Sequence, residues 1–200
     1  RESVSLVDTD GKGVERITEK GVVANGVEYE VDCIIFATGF EVGTGYTRRA
    51  GYNVIGREGV SLEEKWSDGM RTLHGIHTHG FPNLFIISNS QAGFTTNFPH
   101  AMDETAQHIG YILDQCKQDG IRAVEATKEA EDEWVEHIIS VARFGADFQE
   151  ACTPGYYNNE GQPNPKSVQN GPYGKGSRPY FRITKAWREE GSMAGLSKTK

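Results

Sequence analysis

Cysteine is nearly missing from this chain. Cys33, Cys116 and Cys152 are odd in number, far apart and without a CxxC pair, which excludes a disulfide framework and a zinc knuckle. Cys33 sits in an apolar run and reads as a core residue. Long hydrophobic stretches are missing too: no run approaches the ~18 residues a membrane-spanning helix needs, and the opening RESVSLVDTD lacks the apolar core of a secretory leader. Positive charge is in deficit, with 21 Lys and Arg against 28 Asp and Glu and a formal net charge of -7. No basic stripe is present, and the short tail Lys198-Thr199-Lys200 does not make one, so neither nucleic acid nor an anionic membrane is expected as a partner. These absences describe a soluble, cytoplasmic chain. Its 200 residues suffice for one domain or two small ones, without internal repeats.

What is present begins with turns and short strands. Residues 4–35 read as SVSLV, DTDGKG, VERIT, KGVV, the hairpin pair Asn25-Gly26, and VEYEVDCIIFA. Asn-Gly between alternating stretches is a strong hairpin signal, because both residues tolerate positive φ. Residues 31–37 carry little polar alternation after Asp32 and predict a strand buried on both faces, as in the middle of an α/β sheet. In SLEEKW, Ser61 and Glu64 fit a capping box. FPNLFIIS (81–88) predicts a second buried strand, followed by the small polar loop NSQAGFTTNFP. The loop leads into a helix with Ala101, Thr105, His108 and Ile112 on one face and Gly120 as its stop. IRAVEA predicts a short strand. TKEAEDEWVEHIISVARFG predicts a helix capped by Thr127 and stopped at Gly145, with Trp134 and Ile138 on its apolar face. From Ala151 onward Gly, Pro, Asn and aromatics dominate, a composition that cannot build a core alone.

Several tempting chemistries fail on spacing. His74, His77 and His79 in HGIHTH have no evident fourth ligand, so no metal is expected there. GTGYTR (43–48) lacks the third glycine and the following helix of a dinucleotide fingerprint, and GPYGKGS misses the phosphate-loop spacing. Glu131-Asp132-Glu133 reads as a solvated helix face, and Ser88 and Ser90 lack a nucleophile elbow. What remains is a pair of strand ends, FATGF (36–40) and SNSQAGFTTNF (88–98). Small residues at the ends of α/β strands mark the edge where such sheets bind ligands, and the second end opens a helix whose first N–H groups are free donors. On the residues alone these are either a cofactor edge or two ordinary strand exits.

DCIIFATGF, FPNLFIIS, TTNFPHAMDETAQHI and CTPGYYNNEG, in that order, resemble the C-terminal portion of the class B flavoprotein monooxygenases, most closely the Baeyer–Villiger type. The resemblance implies an α/β flavoprotein with two Rossmann-like dinucleotide-binding domains, one for FAD and one for NADPH. It divides this chain into 1–37, the end of the NADP-binding domain with a β-hairpin; 38–120, the C-terminal part of the FAD-binding domain; and 121–200, a helical segment with an irregular tail. Ala37, Thr38, Gly39 and Phe40 would lie beside the cofactors. The Thr96-Asn97-Phe98 backbone would face the pyrimidine end of the flavin, and Tyr156 or Tyr157 would replace an indole that donates to the nicotinamide nucleotide, within a loop, Cys152–Gly161, that covers it.

The implied reaction inserts one oxygen atom from O2 into a ketone through a flavin C4a-peroxide. Within the superfamily the alternative is N- or S-oxygenation, and outside it a non-catalytic binding module that keeps part of the scaffold. Both glycine fingerprints, the signature between them and the catalytic arginine are expected upstream of Arg1, in a missing N-terminal region, so no catalytic residue is assigned in this chain. Ser88-Asn89 stands where relatives commonly carry Gly-Pro.

Overall fold

The computed structural model describes residues 1–37, 46–143 and 168–200. The first is an antiparallel meander of β1 (Arg16–Ile17), β2 (Gly21–Ala24) and β3 (Val27–Glu30), with Val22 opposite Tyr29 and Ala24 opposite Val27. Asn25 and Gly26 form the β2–β3 turn at φ 52° and 72°, the left-handed pair such a turn demands. Residues 4–8 form no strand.

The predicted double-sided strand at 31–37 does not form. After the Val31 N–H donates to the Lys20 carbonyl, no described neighbour continues the ladder, and Ile35 and Phe36 stand 86% and 72% exposed. Cys33 is exposed rather than in the core. The run at 81–88 is likewise no strand. Its one backbone tie to the HGIHTH loop is the Ile86 N–H donating to the Ile76 carbonyl, and Leu84, Phe85 and Ile86 are half-buried. Apolar sequence supplied the strand signal in both places, but a strand needs a paired edge.

The helices follow their caps. The short helices α1 (Tyr46–Ala50) and α2 (Leu62–Lys65) come first, and Ser61 caps α2 by accepting from the Glu64 N–H. α3 (Phe98–Asp119) begins at Asn97, whose side chain accepts from the His100 N–H, and ends at Gly120 in the left-handed conformation, φ 66°. β4 (Ala123–Ala126) follows, then α4 (Lys128–Ser140), capped by Thr127. α4 ends at Val141, before Gly145, which lies outside the described residues.

The tail differs most from its composition. α5 (Ser177–Glu190) and β5 (Leu196–Thr199) occupy it, and β5 pairs antiparallel with β4. Tyr180, Phe181, Thr184 and Trp187 line the inner face of α5, an i, i+1, i+4, i+7 pattern. One core joins Leu73, Ala101 and Ile112 to Val124, Trp134, Ile138, Tyr173, Tyr180, Trp187 and Leu196. Polar and Gly-rich flanks hide this helix from a compositional reading.

Candidate cofactor-facing site

The loop 88–97 has a buried base and an exposed tip. Gln91, Ala92 and Gly93 are buried, while Phe94, Thr96, Asn97 and Phe98 are exposed. Gln91 makes the base rigid. Its side-chain amide donates to the Met70 carbonyl (2.6 Å) and the Gln169 carbonyl (3.0 Å), and its Oε1 accepts from the Thr72 hydroxyl. Its N–H donates to the Gly171 carbonyl (2.8 Å), and its carbonyl accepts from Trp134 Nε1 (3.2 Å). Ala92 accepts from the Tyr173 N–H at 2.9 Å. Gly93 lies against α5 so closely that a Cβ would meet the Tyr180 ring at 2.7 Å.

The tip passes into α3. Asn97 donates its N–H to Thr95 Oγ1 and caps His100, which leaves the Phe98 N–H in the first turn without an intrahelical acceptor. No acidic side chain lies in that first turn, so the positive end of the helix dipole faces outward uncancelled. His100 packs edge-on against Phe181 (5.1 Å), which ties this turn to α5. The exposed turn, its free Phe98 N–H and the small Thr95-Thr96 side chains leave room for a flat ring that presents hydrogen-bond acceptors at its edge.

A second network fixes the loop that carries HGIHTH. Glu131, 2% exposed, accepts from Lys65 Nζ (3.0 Å), the Thr78 hydroxyl (2.8 Å) and the His79 N–H (2.8 Å). It is a buried, fully bonded anion, not the solvated face its acidic neighbours suggested. Glu125 on β4 similarly accepts from Arg57 and the Gly80 N–H. His74 and His77 are buried against aromatic rings. His74 lies edge-on to Trp134 (4.8 Å), His108 lies against Trp187 (4.8 Å), and His77 abuts Phe85 (5.1 Å). Burial lowers all three, His74 to about 4 and His77 and His108 to about 3.

Of the residues expected at a cofactor, Ala37 is exposed at the end of the first described segment, and Thr96, Asn97 and Phe98 sit together at the α3 N-terminus. Thr38, Gly39, Phe40, Tyr156 and Tyr157 lie outside the described residues. Among the described residues no hydrogen bond joins Ala37 to α3. Gln91 and Glu131 escaped the sequence reading, because a lone Gln in a polar loop and a Glu in an acidic run carry no periodic signal.

No protein-family model matches the chain. Pentalenolactone D synthase of Streptomyces arenae is 51% identical over 198 residues, covering 98% of this chain and 34% of the relative. A Baeyer–Villiger monooxygenase of Stachybotrys chlorohalonatus is 40% identical over 98% of this chain and 31% of its own length. Among solved structures, a polycyclic ketone monooxygenase of Thermothelomyces thermophila superposes with a TM-score of 0.82 at 34% identity, covering 97% of this chain and 32% of that one. A steroid monooxygenase bound to NADP gives 0.80 at 25% identity, over 100% and 36%. Fold and sequence thus agree on an α/β flavoprotein monooxygenase. Within that class the chain belongs to the Baeyer–Villiger type, as a C-terminal portion spanning about a third of the length of the relatives it matches.

Proposed function

We propose that the protein carrying this chain is an FAD- and NADPH-dependent monooxygenase that inserts one oxygen atom into a ketone. The carrying observation is the 51% identity to pentalenolactone D synthase across 98% of the chain. A bound flavin, reduced by NADPH, supplies the oxygen activation.

The residues here bind and orient. The Thr96-Asn97-Phe98 backbone would hold the flavin edge, the Phe98 N–H being the donor left free to meet a ring oxygen or nitrogen, and a preorganised donor there would need no rearrangement when charge builds on the ring. Ala37, Thr38, Gly39 and Phe40 line the cofactor passage. Their small members permit close backbone approach. Tyr156 and Tyr157 serve the nicotinamide nucleotide. Ile35, Phe36, Ile87 and Phe94 are exposed apolar side chains that would serve to keep water from a bound cofactor and substrate.

Full-length protein should purify with FAD and consume NADPH in a ketone-dependent way, with one atom from labelled O2 recovered in an ester or lactone. Oxidation of amines or sulfides with no ketone turnover would replace this reading by heteroatom oxygenation. Absence of flavin would replace it by the binding module. In the same protein Gly39→Val should lower flavin occupancy severalfold relative to the parent, read from the ratio of flavin to protein absorbance; unchanged occupancy would remove Gly39 from the cofactor passage.

A further inference from the structure

We infer that Gln91 is a positioning residue that locks the cofactor-facing end of α3 to the segment Gln169–Tyr173, so that the two move as one body; the inference rests on the reading that α3 opens onto the flavin.

Three parts of the chain, far apart in sequence, meet at this one residue, two at its side chain and one at its backbone carbonyl. Met70 is its first partner, and the Met70 carbonyl accepts from Gln91 Nε2 and from Gln169 Nε2, both at 2.6 Å. The Met70 N–H in turn donates to Asn170 Oδ1 at 2.7 Å. The second part is Gln169–Tyr173. It receives the Gln91 side chain at the Gln169 carbonyl and the Gln91 backbone at the Gly171 carbonyl, and it returns the Tyr173 N–H to the Ala92 carbonyl. α4 supplies the third through Trp134 Nε1. An amide is the group this junction requires: two N–H donors for two carbonyls, and an oxygen for the Thr72 hydroxyl.

Gln91 is 0% exposed and holds φ at 56°, a left-handed conformation that costs a non-glycine residue energy and persists only where the surroundings impose it. From this strained, buried point only five residues lead to the Asn97 cap. A shift of Gln169–Tyr173 therefore displaces the loop base, and with it the donors of the first turn of α3. Gln91 touches no reacting atom. It acts through the loop it holds.

The amide is separable from its bulk. Gln91→Met keeps the length and removes all three side-chain hydrogen bonds; Thr72→Val removes only one of the three, together with the bond Thr72 Oγ1 accepts from the Gly75 N–H, and is the milder probe at Gln91 should Gln91→Met fold poorly. In the full-length protein, hydrogen–deuterium exchange should rise at least threefold in both 92–98 and 169–173 for Gln91→Met, and less in both for Thr72→Val, while β4 and β5 keep their protection. The absorbance bands of bound flavin should shift, and the fraction of NADPH oxidation ending as hydrogen peroxide should at least double.

Exchange rising in one segment but not the other in whichever variant folds overturns the coupling. Joint exchange with unchanged flavin bands and unchanged peroxide yield overturns the positioning role. Because the exchange reports on the protein fabric alone, a parent that binds no flavin would sink the monooxygenase reading while leaving the coupling decided by exchange.

Discussion

At the scale of single residues, the histidines define how this protein responds to acid. His74, His77 and His108 are held neutral by burial, with folded values of about 4, 3 and 3 against an ordinary value near 6.5. Their surroundings are apolar rings, and the facing charges are the Arg188 guanidinium, 3.4 Å from His108 Nδ1, and Glu104, which pairs with Arg188 at 3.6 Å. Below pH 6.5 the unfolded chain takes up protons that the folded chain refuses, so stability is complete above about pH 6.5 and falls as pH drops toward 4. For His74 alone the loss across that window is about 3 kcal/mol. Urea unfolding at pH 7 and pH 5 should therefore give clearly different midpoints. His77→Leu should narrow the difference, since neither ring nitrogen of His77 has a hydrogen-bond partner among the described residues. A variant with the parent's full pH dependence would show that His77 does not contribute to it.

At the scale of elements, the helices were legible because their boundaries are written in local chemistry. Asn97, Gly120, Thr127 and Ser61 each satisfy or release backbone groups within a few residues, which sequence alone can register. The strands expected at 31–37 and 81–88 do not form, because an apolar run alone does not supply the paired edge a strand needs. α5 was hidden for the opposite reason: its apolar face belongs to a core assembled from residues 73–138, visible only when the chain is folded. The α4 terminus shows the same dependence. Gly174 lies so close to it that a Cβ would meet the Val141 carbonyl oxygen at 1.8 Å. Gly174→Ala should cost about 3 kcal/mol of stability by forcing α4 and the following segment apart. Thr127→Ala at the other end should cost about 1 kcal/mol through the lost cap. Denaturant midpoints of the two variants test the ranking, and equal losses would mean the Gly174 contact relaxes freely.

At the scale of the molecule, the candidate cofactor site is proposed only from an ordered set of motifs. Thr96-Asn97-Phe98 is a helix start that any sequence reading can find. The Gln91 junction is a meeting of three distant segments with no signature in any one of them. The sequence contains no G-x-G-x-x-G run, the feature that supplies most donors to a pyrophosphate; GTG (43–45), against expectation, directly precedes a helix, the five-residue α1, but lacks the third glycine. The isolated chain should therefore retain no stoichiometric flavin after gel filtration in the presence of FAD, as read by visible absorbance. A stable yellow complex would show that α3 and its surroundings suffice for binding.

The antiparallel pairing of β4 with β5 places Ala126 opposite Leu196, so that the two ends of the stretch 127–195 are held side by side. The entropy of bringing its ends together grows only slowly with its length, about 0.6 kcal/mol per doubling, and the ribbon secures them. Within this architecture, a change in the length of 127–195 is tolerated only where it leaves in place the ribbon, the Glu131 network, the Gln169–Tyr173 contacts with Gln91 and the apolar face of Trp134, Tyr180 and Trp187. That gives a chain of this kind room to vary the rest of the stretch without re-solving its fold.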